Sequence, residues 1–251
     1  TSNTEVHSPF VMPEFQNRYG TGNLNASEGQ TLMSWGRRLG AADRTGYSPR
    51  SDYFQTGVTG TETVSLSTGT DRNQTYLSAS AVNSRGIVPN NGYERYNFTA
   101  RNTTSLLKDR MTLDIGASYI MQNDRNMVNQ GTYANPLVSA YLFPRGNDWN
   151  RVRMFERYDP ERRIWVQDWD EWIGAGNLTM QNPYWINYRN LRENDRRRYM
   201  LNTNISYRIL DWLSVSGRIR IDNSVNNFTE KFYATSNSTL IEGSNNGLYG
   251  I

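Results

Sequence analysis

Cysteine is absent from the 251-residue chain, so neither a disulfide frame nor a thiolate metal site is open to it. A single histidine, His7, excludes a zinc site of several imidazoles and makes a Ser-His-Asp type of triad a poor reading. The acidic residues Asp124, Asp148 and Asp159 lack the regular spacing of a calcium loop, so no metal and no other cofactor is expected. No stretch approaches the roughly eighteen consecutive apolar residues of a membrane helix, which excludes a helical span and leaves a barrel open. The charge excess is small: 27 basic against 24 acidic residues give +3, too balanced to argue for nucleic acid as a partner. The chain opens on Thr1 with no charged n-region or apolar h-region, and reads as beginning inside a mature protein or a fragment.

What the sequence does contain is alternation. From Met111 to Met121, the residues Met111, Leu113, Ile115, Ala117, Tyr119 and Met121 fall on one side of a strand, with Thr112, Asp114, Gly116 and Ser118 on the other. The pattern returns in Tyr199, Leu201, Thr203, Ile205, Tyr207 and Ile209, and again in Leu213, Val215, Gly217, Ile219 and Ile221. Soluble strands average about five or six residues, whereas a tilted membrane-crossing strand needs about nine to eleven. A hydrophobic fraction of 36% suits a barrel with a wet lumen, because only one side of each strand has to be apolar.

Strands are expected near 2–7, 58–69, 75–82, 93–106, 111–123, 197–209 and 213–225. Tight links at 70–73, 107–110 and 210–212 alternate with long ones at 9–57, 83–92, 124–196 and from 226 to 251. Such alternation is expected where short turns face the periplasm and long loops face outward. A loop as long as 124–196 must carry structure of its own. Asn135-Pro136-Leu137 is placed to open a helix through Phe143, and Trp149, Trp165, Trp169, Trp172, Tyr184 and Trp185 to form a small aromatic core above the rim. Tyr96, Tyr119, Tyr199 and Phe228 are expected near the outer membrane interface, Tyr207 and Trp212 near the inner one. The polar side gathers Arg95, Arg101, Asp114, Arg198, Arg208, Arg218, Arg220 and Asp222, placed to bond a plug or line a path. The basic run from Arg192 to Arg198 reads as a solvated loop end entering a strand, with contact to anionic lipopolysaccharide as the sharper alternative.

Several segments in order carry a resemblance: Pro13-Glu14-Phe15-Gln16-Asn17-Arg18-Tyr19-Gly20, Ser34-Trp35-Gly36, Asp52-Tyr53-Phe54-Gln55-Thr56-Gly57, Tyr76-Leu77-Ser78 and Arg85-Gly86-Ile87-Val88. Tyr93-Glu94-Arg95-Tyr96-Asn97, Asn135-Pro136-Leu137, Phe143-Pro144-Arg145 and Asp211-Trp212-Leu213 follow. Together they resemble the SusC/RagA-like branch of TonB-dependent outer-membrane transporters of Bacteroidetes. The resemblance implies an all-β, antiparallel transmembrane barrel of about 22 strands, of which this chain carries about seven early ones, with the plug and the other strands lying outside it. It further implies an outer-membrane location, uptake of oligosaccharides or peptides, a SusD-like surface lipoprotein as partner, energy from TonB through parts outside this chain, and no enzymatic activity.

Trp165, Asp168, Trp169, Asp170 and Trp172 form the candidate substrate-binding segment, because indole rings stack on sugar faces while carboxylates accept hydroxyl protons. A solvated loop core is the plainer reading of the same residues. A glycosidase pair drawn from Asp159, Glu161, Asp168, Asp170 and Glu171 is less economical, so no catalytic residue is assigned. The Asn-x-Ser/Thr triplets at Asn25, Asn73, Asn97, Asn102, Asn177, Asn204, Asn227 and Asn237 follow from composition. The rivals to a plugged transporter are a soluble secreted β-rich carbohydrate-binding module or glycosidase, and a passive porin.

Overall fold

A computed structural model describes residues 16–20, 22–23, 35–42, 47–143, 148–169, 180–241 and 246–251. The strand expected near 2–7 lies outside them. One antiparallel sheet dominates, in the order β1 (Val58–Gly69), β2 (Asn73–Arg85), β3 (Gly92–Leu106), β4 (Met111–Arg125), β7 (Asn190–Leu210), β8 (Leu213–Phe232) and β9 (Leu248–Gly250). Between β4 and β7 lies a hairpin of β5 (Glu156–Asp159) and β6 (Ile164–Gln167). Four short helices complete the fold: α1 (Pro49–Asp52), α2 (Pro136–Leu142), α3 (Trp149–Arg153) and α4 (Pro183–Arg189). The sheet is open among the described residues, with β1 at one edge and β8, paired with β9 only at Glu230–Phe232, at the other.

Register from β1 to β7 runs without interruption, and the one shift between β7 and β8 falls at Arg208/Leu210, beside a turn. Period-two side-chain direction then forces equivalent residues into rows. One row reads Leu66, Leu77, Ala100, Ala117, Leu201 and Ile221; the next reads Val64, Ala79, Phe98, Tyr119, Tyr199 and Asn223. Nothing among the described residues covers this face: Ile115 is 45% exposed, Leu201 44% and Ile219 67%. The stripe from Met111 to Met121 therefore has no second β-layer and no helices over it among the described residues.

The opposite face is polar, and every charged residue assigned to it from the sequence is there by register. Arg101 donates two hydrogen bonds of 2.8 Å to the Asp114 carboxylate, which also accepts one from the Thr103 hydroxyl at 3.0 Å. Arg198 grips Asp222 in the same forked way, at 2.8 and 2.6 Å. Each pair lies diagonally across neighbouring strands, a separation that a long side chain spans.

Three expectations are corrected. β4 runs to Arg125, β7 starts at Asn190 and β8 ends at Phe232, so the long links shrink to 126–189 and 233–247, and the link expected over 83–92 shrinks to 86–91. Backbone pairing continues there because polar cross-strand partners satisfy the ladder as well as apolar ones do. The run from Arg192 to Arg198 is consequently part of a strand and not a loop end. Its alternation sends Arg197 to the apolar face, while Arg192, Arg196 and Arg198 take the polar one. Finally, Phe228 shares its row with Tyr93, Asp124 and Asn194, so it faces away from Tyr119 and Tyr199 and does not join an aromatic belt with them.

At the far end of the sheet, β3 and β4 are joined through Leu107, Lys108 and Asp109, whose φ values of 54, 53 and 66° are all left-handed. The Arg110 N–H closes this turn on the Leu107 carbonyl at 3.3 Å. A side chain in that region costs about 1–2 kcal/mol, and Leu107, 61% exposed, gains little from burial in return. Leu107→Gly is expected to raise stability by about 0.5–1 kcal/mol, read as a higher urea midpoint. Leu107→Val is expected to lower it.

Candidate functional site

The described parts of the longer links gather at one end of the sheet and pack into a cap. Its core joins Tyr47, Tyr53, Val88, Ala140, Phe143, Trp149, Val152 and Met180, with Trp169 and Tyr184 packed on it. Tyr47 stacks on Trp149 with ring centroids 4.2 Å apart, and Phe143 meets Trp149 edge-on at 5.0 Å. The local sequence directs these contacts through caps. Asn135, Asp148 and Asn182 each accept a hydrogen bond from a backbone N–H in the first turn of α2, α3 and α4. Proline at the first positions of α2 and α4 fits the same helix starts. The helix expected from Asn135-Pro136-Leu137 is thus present as α2.

Motif segments that are distant in sequence meet in this cap. Gln55 donates from its amide to the Gly86 carbonyl at 2.9 Å, and its backbone N–H reaches the Ile87 carbonyl at 2.9 Å. Tyr53 is 2% exposed and its hydroxyl accepts from the Asn187 amide at 2.7 Å. Burial pushes the Tyr53 hydroxyl far above its ordinary value, and burial does the same to Tyr184 more mildly.

A chain of buried amides ties the loops together. The Gln181 amide donates to the Tyr133 carbonyl at 2.7 Å, and its own carbonyl accepts from the Asn237 backbone at 2.8 Å. Ser236 donates to the Asn190 carbonyl oxygen at 2.6 Å and accepts from the indole of the fully buried Trp185 at 3.1 Å. Asn182 donates to the backbone carbonyls of Val152 and Asp168 at 2.8 and 3.2 Å. These are satisfied polar groups in a dry setting, the condition under which such a network fixes a single arrangement.

The residues expected to bind substrate are only partly brought together. Asp168 and Trp169 line a hollow of about 80 Å³ with Phe143, Arg151, Val152, Met154 and Asn182. Sites for sugar-sized ligands usually have about 300–1,000 Å³, so this hollow is too small to hold one. Trp165 stands apart on β6, 53% exposed and edge-on to Tyr158 at 5.6 Å. Alternation along β6 explains this, because Val166 takes the buried side. Asp170 and Trp172 lie outside the described residues. Of the expected aromatic core, Trp149, Trp169 and Tyr184 are in the main cluster, Trp185 is buried beside Ser236, and Trp165 is outside it.

A larger hollow was not legible in the sequence. It has about 710 Å³ and is lined by Gln55, Val58, Asn83, Ser84, Arg85, Asn90, Asn91, Gly92, Glu94, Arg125 and Tyr188. The signal that could have revealed it is the pairing of Val58 with Arg85 and of Gly92 with Arg125, which sets both arginines in one row. The chain matches no known protein-family model and no curated protein sequence.

Two outcomes follow for the cap. Asn182→Ala removes an N-cap and takes its donor from the buried Val152 carbonyl and the partly buried Asp168 carbonyl, at a cost of about 2 kcal/mol; hydrogen exchange is expected to rise across β5 and β6, whereas Trp165→Ala leaves it unchanged. The second concerns pH. Because the folded Tyr53 value lies above the unfolded one, near 10.0, its contribution is complete below that pH and is lost as pH rises beyond it. The cap is expected to loosen under alkali, seen as tyrosinate absorbance accompanied by proteolytic cleavage, with a smaller loosening step in Tyr53→Phe.

Proposed function

We propose that this chain forms part of the wall of an outer-membrane β-barrel, in a transporter of the SusC/RagA-like, TonB-dependent kind that imports oligosaccharides or peptides. The observation that carries the reading is the uncovered apolar face across β1, β2, β3, β4, β7 and β8. From Met111 to Met121 the band runs about 34 Å along the strand, and at a barrel tilt of about 35–45° it rises about 24–28 Å, close to the ~25 Å apolar band of such barrels. Over these strands the face measures roughly 800 Å²; its apolar rows run from Leu66 to Ile221 and from Val64 to Tyr199, with Thr75, Asn102 and Thr203 in the row on one side and Glu62 and Arg197 in the row on the other. A soluble carbohydrate-binding module would have to leave that surface in water.

In this reading the polar face lines the lumen. Arg218 has no carboxylate within ion-pair distance among the described residues, and such arginines are available to the carboxylates of a plug that TonB displaces. The short turns face the periplasm. The capped end faces outward, where a SusD-like lipoprotein would close over the aromatic cap and the exposed Trp165 would meet substrate. No covalent chemistry is assigned.

The absence of cysteine makes the test clean. Ile115→Cys and Ser118→Cys are labelled in the intact membrane protein with a polarity-sensitive probe. Ile115 is expected to report hydrocarbon and Ser118 water, and equal wetness at both positions would refute the barrel wall. As an energetic companion, Ile115→Arg or Ile219→Arg is expected to cost about 2–4 kcal/mol of insertion stability, with Ser118→Arg costing far less. A protein that stays monodisperse without detergent and binds glycan would instead favour the soluble module.

A further inference from the structure

We propose that the larger polar hollow, where the apolar face meets the cap, seats the phosphorylated sugar headgroup of an anionic glycolipid of the lipid A class. Its acyl chains would lie on the apolar band next to it. This inference rests on the membrane reading above and deepens it by naming one lipid and its site.

Register fixes the location. Val58, Arg85, Gly92 and Arg125 form one row, Asn83 and Glu94 belong to the adjacent one, and both rows share the face of Ile115 and Tyr119. Arg125 follows Met121 on that face and stands about 10 Å above the band at barrel tilt. This is beyond the hydrocarbon, and an arginine stem reaches part of the way back toward the membrane. Arg197, lower down in the row of Tyr96 and Met121, is paired with Asp195 at 3.4 Å and adds no net charge to the site.

The lining has the chemistry of a phosphosugar site. Arg85 donates only a long 3.4 Å hydrogen bond, to the Thr56 carbonyl, and has no carboxylate within ion-pair distance among the described residues. Arg125 lies 3.9 Å from Glu94, outside hydrogen-bond distance, so its guanidinium donors remain for a phosphate. Two arginines against one glutamate leave the hollow cationic. The Asn83 carbonyl accepts the Tyr96 hydroxyl at 3.2 Å, which leaves its N–H groups as donors. Gln55 spends its N–H groups on the Gly86 and Val88 carbonyls and leaves its own carbonyl as an acceptor for a sugar hydroxyl. A volume of about 710 Å³ accommodates such a headgroup. Continuity with the apolar band selects a lipid over an imported solute, since cargo would pass along the opposite face.

The test uses the intact membrane protein in phosphatidylcholine nanodiscs, with native mass spectrometry reading retention of added lipid A. Retention is expected to weaken roughly tenfold for each arginine removed in Arg85→Gln and Arg125→Gln. Arg218→Gln, on the opposite face, is expected to behave as the parent does. The parent itself is expected to release dephosphorylated lipid A as readily as the double variant releases the intact lipid. Retention that is unchanged in the double variant, or equal for both lipids on the parent, overturns the proposal. Should the double variant fail to fold, the comparison of the two lipids on the parent decides alone. The Ile115 probe separates the two claims: a wet Ile115 removes the barrel wall and this site together, whereas a lipid-embedded Ile115 without phosphate-selective retention removes the site only.

Discussion

Unbroken strand register is the constraint on which everything else in this structure depends. A slip of one residue between any two strands would carry a whole apolar set to the other face. Here Leu66, Leu77, Ala100, Ala117, Leu201 and Ile221 align through β1 to β8 with no bulge between them. The polar face reinforces the same register, because the Arg101–Asp114 and Arg198–Asp222 forks each connect specific positions on adjacent strands. In each pair the arginine is exposed to water and the carboxylate is partly covered, so solvent screening keeps their value for stability small, and their main effect is to penalise slippage.

The cap answers a different requirement. Its loops carry many backbone groups away from the sheet, and each that is buried needs a partner. Asparagine and glutamine supply them: Asn182 alone satisfies the Val152 and Asp168 carbonyls and the Tyr184 N–H. This explains why a chain so rich in amides holds long connections in place. Arg189 adds a forked pair with Glu156 at 2.8 and 2.9 Å and lies over the ring of Tyr233, joining the β5–β6 hairpin to the segment after β8.

Alternation makes the sheet legible in the sequence itself. Period two over Met111–Met121 and Tyr199–Ile209 specifies strands, faces and the side taken by Arg101, Arg198 and Arg218, because that signal is local and repeats. Strand ends are less legible: Asp124, Arg125 and Asn190 to Arg196 belong to paired strands although their side chains, Leu191 apart, are polar, and composition does not mark that boundary. The binding segment fails for a related reason. Trp165, Asp168 and Trp169 are close in sequence, yet a β-strand separates neighbours, and the buried position of Val166 turns Trp165 away from the hollow that the other two line. The arginine row at Arg85 and Arg125 needs the pairing of β2, β3 and β4, which no single segment contains.

The edges of the sheet sharpen what the membrane reading demands. β1 is exposed along its whole length, and β8 meets β9 only at its capped end, so two rows of backbone N–H and C=O groups lack ladder partners among the described residues. In water such edges invite pairing with another chain. In hydrocarbon each unsatisfied group costs several kcal/mol, so an open sheet cannot remain there. A face that avoids water and edges that avoid lipid are compatible only if further strands pair with both β1 and β8. Under the proposed membrane reading, the apolar face and the bare edges together require a sheet continued on both sides until it closes.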